Sequence, residues 1–281
     1  MSNQIIVSCL QYTSLQDEKG TIEKINNLVK EAVSRNSDLV ALPECSTFIY
    51  KEKANTLQKS KLQKDSFTIH EICRLAKTYG INILIGSLQT KLRKNSDLLV
   101  NRSYLVNSYG KVTCKYDKIH MFDVKLSYGQ EFNESKIYTP GKEAKISKIK
   151  IRNNSFFLGL TICYDLRFPN LYQDLAKAGA QIISVPSAFT KTTGKAHWLT
   201  LLRARAIETG CFVIAPAQIG QHYSGRESYG HSLIINPWGK ILANAKTKES
   251  IITSKINIDD VNKSREKISN LINQREYSIK Y

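Results

Sequence analysis

An apolar run passes directly into the start of a helix in Phe157-Leu158-Gly159-Leu160-Thr161-Ile162-Cys163-Tyr164-Asp165-Leu166-Arg167-Phe168-Pro169. Its first half is apolar and has the length of a buried β-strand. Its second half makes a turn and ends in proline, which is favoured at the start of a helix. Strands that alternate with helices are typical of α/β folds, which gather their chemistry at the carboxyl ends of strands. The stretch therefore predicts an α/β protein with Cys163 at a strand end.

The same alternation continues on both sides of this stretch. Apolar runs predict strands over residues 5–10, 39–42, 81–86, 102–107, 111–116, 181–185, 211–215, 231–236, 240–243 and 251–258. Helices are predicted over residues 22–33, 67–79, 171–178 and 196–209, with a polar C-terminal helix from residue 259. We expect one domain over residues 1–281, with a core at about 4–258 and a C-terminal helix and tail at about 259–281. Because hairpins are mixed with crossovers, two β-sheets between helical layers suit this pattern.

The composition limits the class of protein. Hydrophobic residues make up 42% of the 281 residues, so a sizeable core is available. No apolar run approaches the ~18 residues that span a membrane, and we expect no signal peptide, because the N-terminus lacks a basic region and a cleavage site. The six cysteines show neither paired nor zinc-ligand spacing. This pattern favours a reduced, cytoplasmic protein without a bound metal.

The net charge of +17 has two interpretations. A strongly basic protein can bind nucleic acid or another anionic surface. The lysines, however, are spread evenly, and no block of them alternates with aromatic residues. We therefore favour a compositional bias without nucleic-acid or membrane partners, although a basic field can attract acidic substrates. A non-catalytic, basic nucleic-acid-binding protein remains the alternative from another functional class.

Two further reactive side chains follow apolar runs. Glu44 closes Leu39-Val40-Ala41-Leu42-Pro43-Glu44, where partial burial suits a general base. Lys118 follows the predicted strand at residues 111–116, and an ammonium group there can stabilise an oxyanion. Taken singly, Glu44 fits a solvated loop equally well, and Lys118 fits a surface lysine better. Together with Cys163 they supply a base, an electrophilic stabiliser and a nucleophile.

Cys163 itself allows two interpretations. A thiol near a helix start meets unpaired backbone N–H groups, which favour the thiolate. The segment fits an inert, buried cysteine equally well. A nucleophilic cysteine usually acts with a histidine, and His120 and His197 are the candidates that their positions do not exclude.

The combination resembles the nitrilase superfamily of carbon–nitrogen hydrolases, whose signature is a Glu-Lys-Cys triad in that chain order. The matching pieces are Leu42-Pro43-Glu44, Asp117-Lys118-Ile119-His120 and Cys163-Tyr164-Asp165-Leu166-Arg167-Phe168-Pro169. The family has a second glutamate after the lysine, and Phe132-Asn133-Glu134-Ser135 matches that element. The resemblance covers nearly the whole chain. It implies a single-domain α-β-β-α sandwich that stacks into a larger sandwich in a homodimer or higher homo-oligomer.

The resemblance also implies a role for each site residue. Cys163 is the nucleophile and carries a thioester, Glu44 is the base, and Lys118 stabilises the oxyanion. Glu134 helps to hold the lysine and to orient the substrate. The implied substrate-binding residues are Tyr164 through its backbone N–H, Arg167 as a carboxylate partner, and Phe189 and Thr193 near the substrate. Arg167 fits a structural ion pair equally well.

Four stretches resemble one subgroup, the amidases that act on deaminated glutathione, and their omega-amidase relatives. The stretches are residues 186–190, 193–198, 202–208 and 225–232. Ser187 and the Arg226-Glu227-Ser228 run favour deaminated glutathione. The resemblance thus implies hydrolysis of a primary amide in a small, carboxylate-bearing alpha-keto acid amide, with release of ammonia and without a cofactor or metal. The alternative substrate is alpha-ketoglutaramate, the substrate of an omega-amidase.

Overall fold

Two β-sheets lie between two pairs of helices in the computed structural model, which describes residues 3–126 and 131–281. The strands are β1 Gln4–Gln11, β2 Leu39–Ala41, β3 Lys61–Leu62, β4 Asn82–Lys91, β5 Leu99–Val106, β6 Val112–Asp117, β7 Asp123–Lys125, β8 Glu131–Asn133, β9 Lys145–Ile151, β10 Asn154–Leu160, β11 Ile182–Ser184, β12 Phe212–Ala215, β13 Ile219–Tyr223, β14 Arg226–Tyr229, β15 Leu233–Ile235, β16 Ile241–Asn244 and β17 Ser250–Asn257. The α-helices are α1 Glu18–Ser34, α2 Lys53–Lys59, α3 Phe67–Tyr79, α4 Pro169–Lys177, α5 Lys191–Thr193, α6 Leu199–Thr209 and α7 Asp259–Lys267. Short 3-10 turns cover Gln63–Asp65, Glu134–Lys136 and Cys163–Arg167, and a π-helical turn covers Gly194–Trp198.

The two sheets share one arrangement of strands. The first has the order β17-β1-β2-β4-β5-β6, with β3 beside β4, and the second has the order β16-β15-β12-β11-β10-β9. Three neighbouring strands are parallel in each sheet, namely β1, β2 and β4 in the first and β10, β11 and β12 in the second. Antiparallel strands flank each parallel set. The parallel sets direct the residues after β2 and β10 to the carboxyl edges of their sheets.

Alternate side chains of the strands enter two separate cores. Leu39 and Leu84 belong to the core between the sheets, which also contains Leu158 of the second sheet and extends to α4 and α6. Val40 and Ile83 point to the opposite face of the first sheet and pack against α1 and α3. The layers are therefore α-β-β-α, and the predicted single-domain α/β sandwich is confirmed. Within residues 3–126 and 131–281, no helix combines the length and apolar character that crossing a bilayer requires.

Several elements were not predicted. They are α2, α5, β3, β9 and the two hairpins β7–β8 and β13–β14. β9 does carry a signal, because buried Ile149 and Ile151 alternate with exposed Lys148 and Lys150. The hairpins are short, and neither belongs to one of the two large sheets, so their sequences lack a sustained apolar face.

The predicted helix over residues 196–209 begins earlier than expected. The helical segment starts with α5, passes through the π-helical turn Gly194–Trp198, and continues as α6. This path needs glycine at position 194, because any side chain there would clash with Tyr229. A Cβ atom at Gly194 would lie 2.3 Å from the ring of Tyr229. Side-chain periodicity does not reveal a π turn, which depends on such close tertiary contacts.

Candidate active site

Glu44, Lys118 and Cys163 line one cavity of about 280 Å³. Each follows a strand, since Glu44 comes shortly after β2, Lys118 directly after β6, and Cys163 shortly after β10. Glu134 begins the helical turn after β8 and lines the same cavity. The structure therefore brings together the four residues that the sequence predicts as catalytic.

The Lys118 ammonium is buried between two carboxylates. Its side chain is 2% exposed, and Nζ lies 3.1 Å from Glu44 Oε1 and 2.7 Å from Glu134 Oε2. Burial alone would lower the pKa of Lys118, but the charges of Glu134 and Glu44 raise it well above its usual value. Lys118 is therefore a permanent cation in the cavity wall.

Donors surround the Glu44 carboxylate. Oε1 accepts from Asn101 Nδ2 at 2.9 Å as well as from Lys118, and Oε2 accepts from the backbone N–H of Ala188 at 2.9 Å. Burial favours the neutral carboxyl group, but Lys118, the Cys163 thiol and the other hydrogen bonds hold the pKa of Glu44 below its usual value. Glu44 is therefore ionised at neutral pH, and its carboxylate interacts with the Cys163 thiol.

Cys163 opens its 3-10 turn in the left-handed region, with a φ of 49°. Such a conformation is costly for a non-glycine residue and is concentrated at functional sites. Burial and the Glu44 charge raise the pKa of the Cys163 thiol well above its usual value, and Lys118 opposes them only in part. Burial and the Glu44 charge thus act against the preference for a thiolate that the helix start predicts. The resting form is a thiol beside a carboxylate that can take its proton.

Asp165 holds the turn that carries Cys163 in place, a role that was not predicted from the sequence. Its fully buried carboxylate accepts from Tyr116 Oη at 2.7 Å and from the backbone N–H of Ile162 at 2.9 Å. It also accepts from the backbone N–H of His120 at 3.1 Å. These bonds join β6, the end of β10 and the nucleophile turn.

A family model for carbon–nitrogen hydrolases matches residues 6–266. The chain belongs to the carbon–nitrogen hydrolase family. It is 37% identical to the deaminated glutathione amidase of Yersinia enterocolitica over 252 residues, which are 89% of this chain and 86% of that protein. It is 38% identical over 267 residues to the Dictyostelium discoideum protein of the same name, covering 92% and 89% of the two chains. The crystal structure of Saccharomyces cerevisiae Nit3, a member of branch 10 of the nitrilase superfamily, matches with a TM-score of 0.82 at 27% identity over 94% of each chain. The predicted superfamily and enzyme class are confirmed.

In this carbon–nitrogen hydrolase, three of the four predicted substrate-binding residues line the cavity, namely Tyr164, Phe189 and Thr193. Tyr164 is the second residue of a helical turn, where a backbone N–H has no acceptor within the helix. That N–H is suited to an oxyanion. The N–H of Thr193, in contrast, already donates to Thr190 Oγ1 at 3.3 Å and is not free for a substrate.

Arg167 does not line the cavity. Its guanidinium carbon lies 5.8 Å from the ring centroid of Tyr164 and 5.6 Å from that of Phe189, and Nη2 lies 3.2 Å from His197 Nδ1. Cation–π contacts with both rings and the bond to His197 hold the guanidinium outside the cavity. The binding of a substrate carboxylate by Arg167 stays a prediction.

The two candidate histidines are engaged elsewhere. His120 Nδ1 lies 2.7 Å from Asp165 Oδ1, and its ring stacks on Phe168 with centroids 3.5 Å apart. His197 contacts Arg167. The thiol thus faces Glu44 in place of a histidine. Across residues 3–126 and 131–281, no group of three or more His, Cys, Asp or Glu side chains is arranged to hold a metal ion.

The polar residues of this site that were not predicted from the sequence include Asn101, Lys51 and Arg226. Asn101 on β5 donates from Nδ2 to Glu44 at 2.9 Å and to Glu134 at 3.3 Å. Lys51 and Arg226 supply two further cations to the cavity wall. Asn101 and Lys51 carry no distinguishing sequence signal. Arg226 lies in the run that resembles the deaminated glutathione amidases, and that run was the available signal.

Proposed function

We propose that this carbon–nitrogen hydrolase cleaves an amide of deaminated glutathione, a small alpha-keto acid with free carboxylates. The relatives named deaminated glutathione amidase, at 37% and 38% identity over most of the chain, support this substrate. The observation that carries the chemistry is a buried thiol, a carboxylate and an ammonium group around one cavity.

The leaving group follows from the structure of glutathione, whose amides are secondary. Cleavage of the amide on the keto-acid side releases cysteinylglycine, an amine, together with 2-oxoglutarate. The expectation of a primary amide and of ammonia release is therefore wrong for this substrate. It applies to the alternative substrate, alpha-ketoglutaramate. The same thioester chemistry serves both substrates, because only the departing nitrogen group differs.

In the first half-reaction, Glu44 takes the proton of the Cys163 thiol as the sulfur attacks the amide carbon. The carbonyl oxygen becomes an oxyanion that the Lys118 ammonium and the backbone N–H of Tyr164 stabilise. A single donor of this kind is worth roughly 2.7–4 kcal/mol of barrier in other enzymes. Glu44 returns the proton to the departing nitrogen, the C–N bond breaks, and the acyl group remains on Cys163 as a thioester.

In the second half-reaction, Glu44 takes a proton from water, and the water oxygen attacks the thioester carbon. The same donors stabilise the second oxyanion. The C–S bond then breaks, and the sulfur regains its proton from Glu44. One water is consumed, and one acid and one amine are released. Glu134 keeps the Lys118 ammonium in place through both steps, and no step needs a cofactor or a metal.

We further propose a cytoplasmic homodimer or higher homo-oligomer of one domain over residues 1–281. All six cysteines are free thiols, which supports a reducing compartment. Leu199 and Ile207 of α6 and Trp238 of the β15–β16 turn are 42%, 48% and 56% exposed, which supports association through this face. We propose no nucleic-acid or membrane partner, because a basic binding protein would have no use for the buried Glu44, Lys118 and Cys163.

Intact mass spectrometry tests the proposal. We expect an acyl adduct on Cys163 during turnover of deaminated glutathione, no adduct in Cys163→Ala, and an unchanged adduct in Cys73→Ala on the outer helix α3. The ratio of kcat/KM for deaminated glutathione to that for alpha-ketoglutaramate separates the two substrates. A large excess for alpha-ketoglutaramate makes the protein an omega-amidase, and no turnover of any amide refutes the enzymatic proposal.

A further inference from the structure

Arg226 reaches the same cavity as Cys163 from the β13–β14 hairpin. Its Nη2 donates to the backbone carbonyl of Ala188, and its guanidinium carbon lies 5.6 Å from the ring centroid of Phe132. Nη1 makes a longer contact of 3.4 Å with Glu227 O. The hydrogen bonds to Ala188 and Glu227 fix the position of the guanidinium. Because a guanidinium has five N–H donors, they leave donors for another acceptor.

No described Asp or Glu forms an ion pair with Arg226. The carboxylate of neighbouring Glu227 pairs with Lys191 at 3.0 Å. Lys118, the buried cation of the cavity, is matched by two carboxylates. Around the nucleophile, the two carboxylates of Glu44 and Glu134 outnumber the single cation Lys118. Arg226 is a cation of the same cavity that no described carboxylate pairs with.

We propose that Arg226 binds the carboxylate beside the keto group of the substrate and so determines specificity for keto-acid amides. This inference rests on the proposed function and names the residue that recognises the acid. Glu44 and Glu134 repel a substrate carboxylate from the nucleophile, and Arg226 attracts it to its own part of the cavity wall. The two effects together orient the amide carbon towards Cys163.

The position of Arg226 suits the acyl half of the substrate. The backbone carbonyl of Ala188 accepts from Arg226, and the backbone N–H of the same residue donates to Glu44 Oε2 at 2.9 Å. One residue, Ala188, thus links the carboxylate anchor to the base. The acyl half stays in the cavity as a thioester after the amine departs, so an anchor on that half orients the substrate in both half-reactions.

The test compares deaminated glutathione with the analogue whose keto-acid carboxylate is a neutral carboxamide. Dissociation constants for both compounds are measured by calorimetry on Cys163→Ala and on Cys163→Ala/Arg226→Gln, so the result does not require turnover. A bidentate charged hydrogen bond predicts that the preference for the acid falls by roughly 10- to 100-fold when Arg226 is replaced. Arg74→Gln in the Cys163→Ala background is the matched control, since Arg74 is exposed on α3 and pairs only with Glu71. It is expected to keep the preference.

The ratio of the two compounds within one variant cancels any general loss of folding or site structure. An unchanged ratio in Cys163→Ala/Arg226→Gln, or no binding of either compound to Cys163→Ala, overturns the role of Arg226. The proposed function is decided separately by turnover in the wild-type protein. Turnover of acid and carboxamide at equal kcat/KM would leave the amidase standing and refute the anchor.

Discussion

Glu134 holds Lys118 Nζ with both carboxylate oxygens, at 2.9 Å and 2.7 Å. Because Glu44 also pairs with Lys118, the buried cluster contains two negative charges and one positive charge. A thiolate would add another negative charge, which the low polarity of the interior makes costly. This charge balance explains why Cys163 rests as a thiol, and why the proton must move to Glu44 as the sulfur attacks.

Replacement of Glu134 by glutamine keeps the volume and removes the charge. Lys118 then pairs with Glu44 alone, which makes Glu44 a weaker base and displaces the ammonium from the oxyanion. We expect kcat to fall by about 10- to 100-fold with a smaller change in KM. Steady-state kinetics on deaminated glutathione measures this. Glu143→Gln is the control, because Glu143 is exposed and pairs only with Lys145. A kcat equal to that of the wild type would show that Glu134 has no part in catalysis.

The pH dependence of kcat/KM follows from the two opposite pKa shifts. The pKa of Glu44 lies below its ordinary value of 4.5, and that of Cys163 lies well above its ordinary value of 9.0. Glu44 must be ionised to act as a base, so activity is lost only as the pH falls through a value below 4.5. We expect no rise of activity near pH 9, where a free thiol would ionise. Initial rates between pH 4 and pH 10 test this, and an increase centred near pH 9 would show that Cys163 ionises without Glu44.

The sequence predicts the layers and the central residues because both depend on local signals. Leu39 to Leu42 and Phe157 to Ile162 are apolar at the length of a strand, and each precedes a reactive residue at a sheet edge. α3 was predicted with its observed bounds, since apolar periodicity and Gly80 mark its face and its end. The order of Glu44, Lys118 and Cys163 then carries the family resemblance.

What the sequence does not predict depends on tertiary contacts. Asn101 bridges Glu44 and Glu134 only because β5 lies beside the cavity, and an asparagine in a strand has no pattern that announces this. Arg167 follows the nucleophile closely in sequence, but its contacts with the rings of Tyr164 and Phe189 depend on the folded chain. The pKa of the Cys163 thiol depends on burial and on nearby charges, which the helix start alone does not reveal.

Asp165 is expected to stabilise the fold as well as the nucleophile turn. Asp165→Asn removes a buried charge that accepts from Tyr116, Ile162 and His120, and leaves an amide donor facing those groups. We expect the free energy of unfolding to fall by about 2–4 kcal/mol. Tyr116→Phe removes one of these bonds and is expected to cost about 1–2 kcal/mol. Urea denaturation measures both. Equal stabilities of Asp165→Asn and the wild type would mean that the buried network contributes nothing.

His222 on β13 predicts a second effect of pH. This effect acts on the free energy of unfolding and not on catalysis. Burial, with a smaller contribution from Arg226, lowers the pKa of His222 from 6.5 to about 4. Between these values the unfolded chain binds a proton that the folded chain does not, so the stability present above pH 6.5 is lost as the pH falls towards 4. His222→Gln cannot titrate. Nε2 of the native ring lies 2.9 Å from Ser228 Oγ, a hydrogen bond that an amide can replace. We expect the variant to lose roughly 2 kcal/mol less than the wild type between pH 7 and pH 4.5. Urea denaturation at both pH values tests this, and equal losses in the two proteins would place the acid sensitivity at other groups.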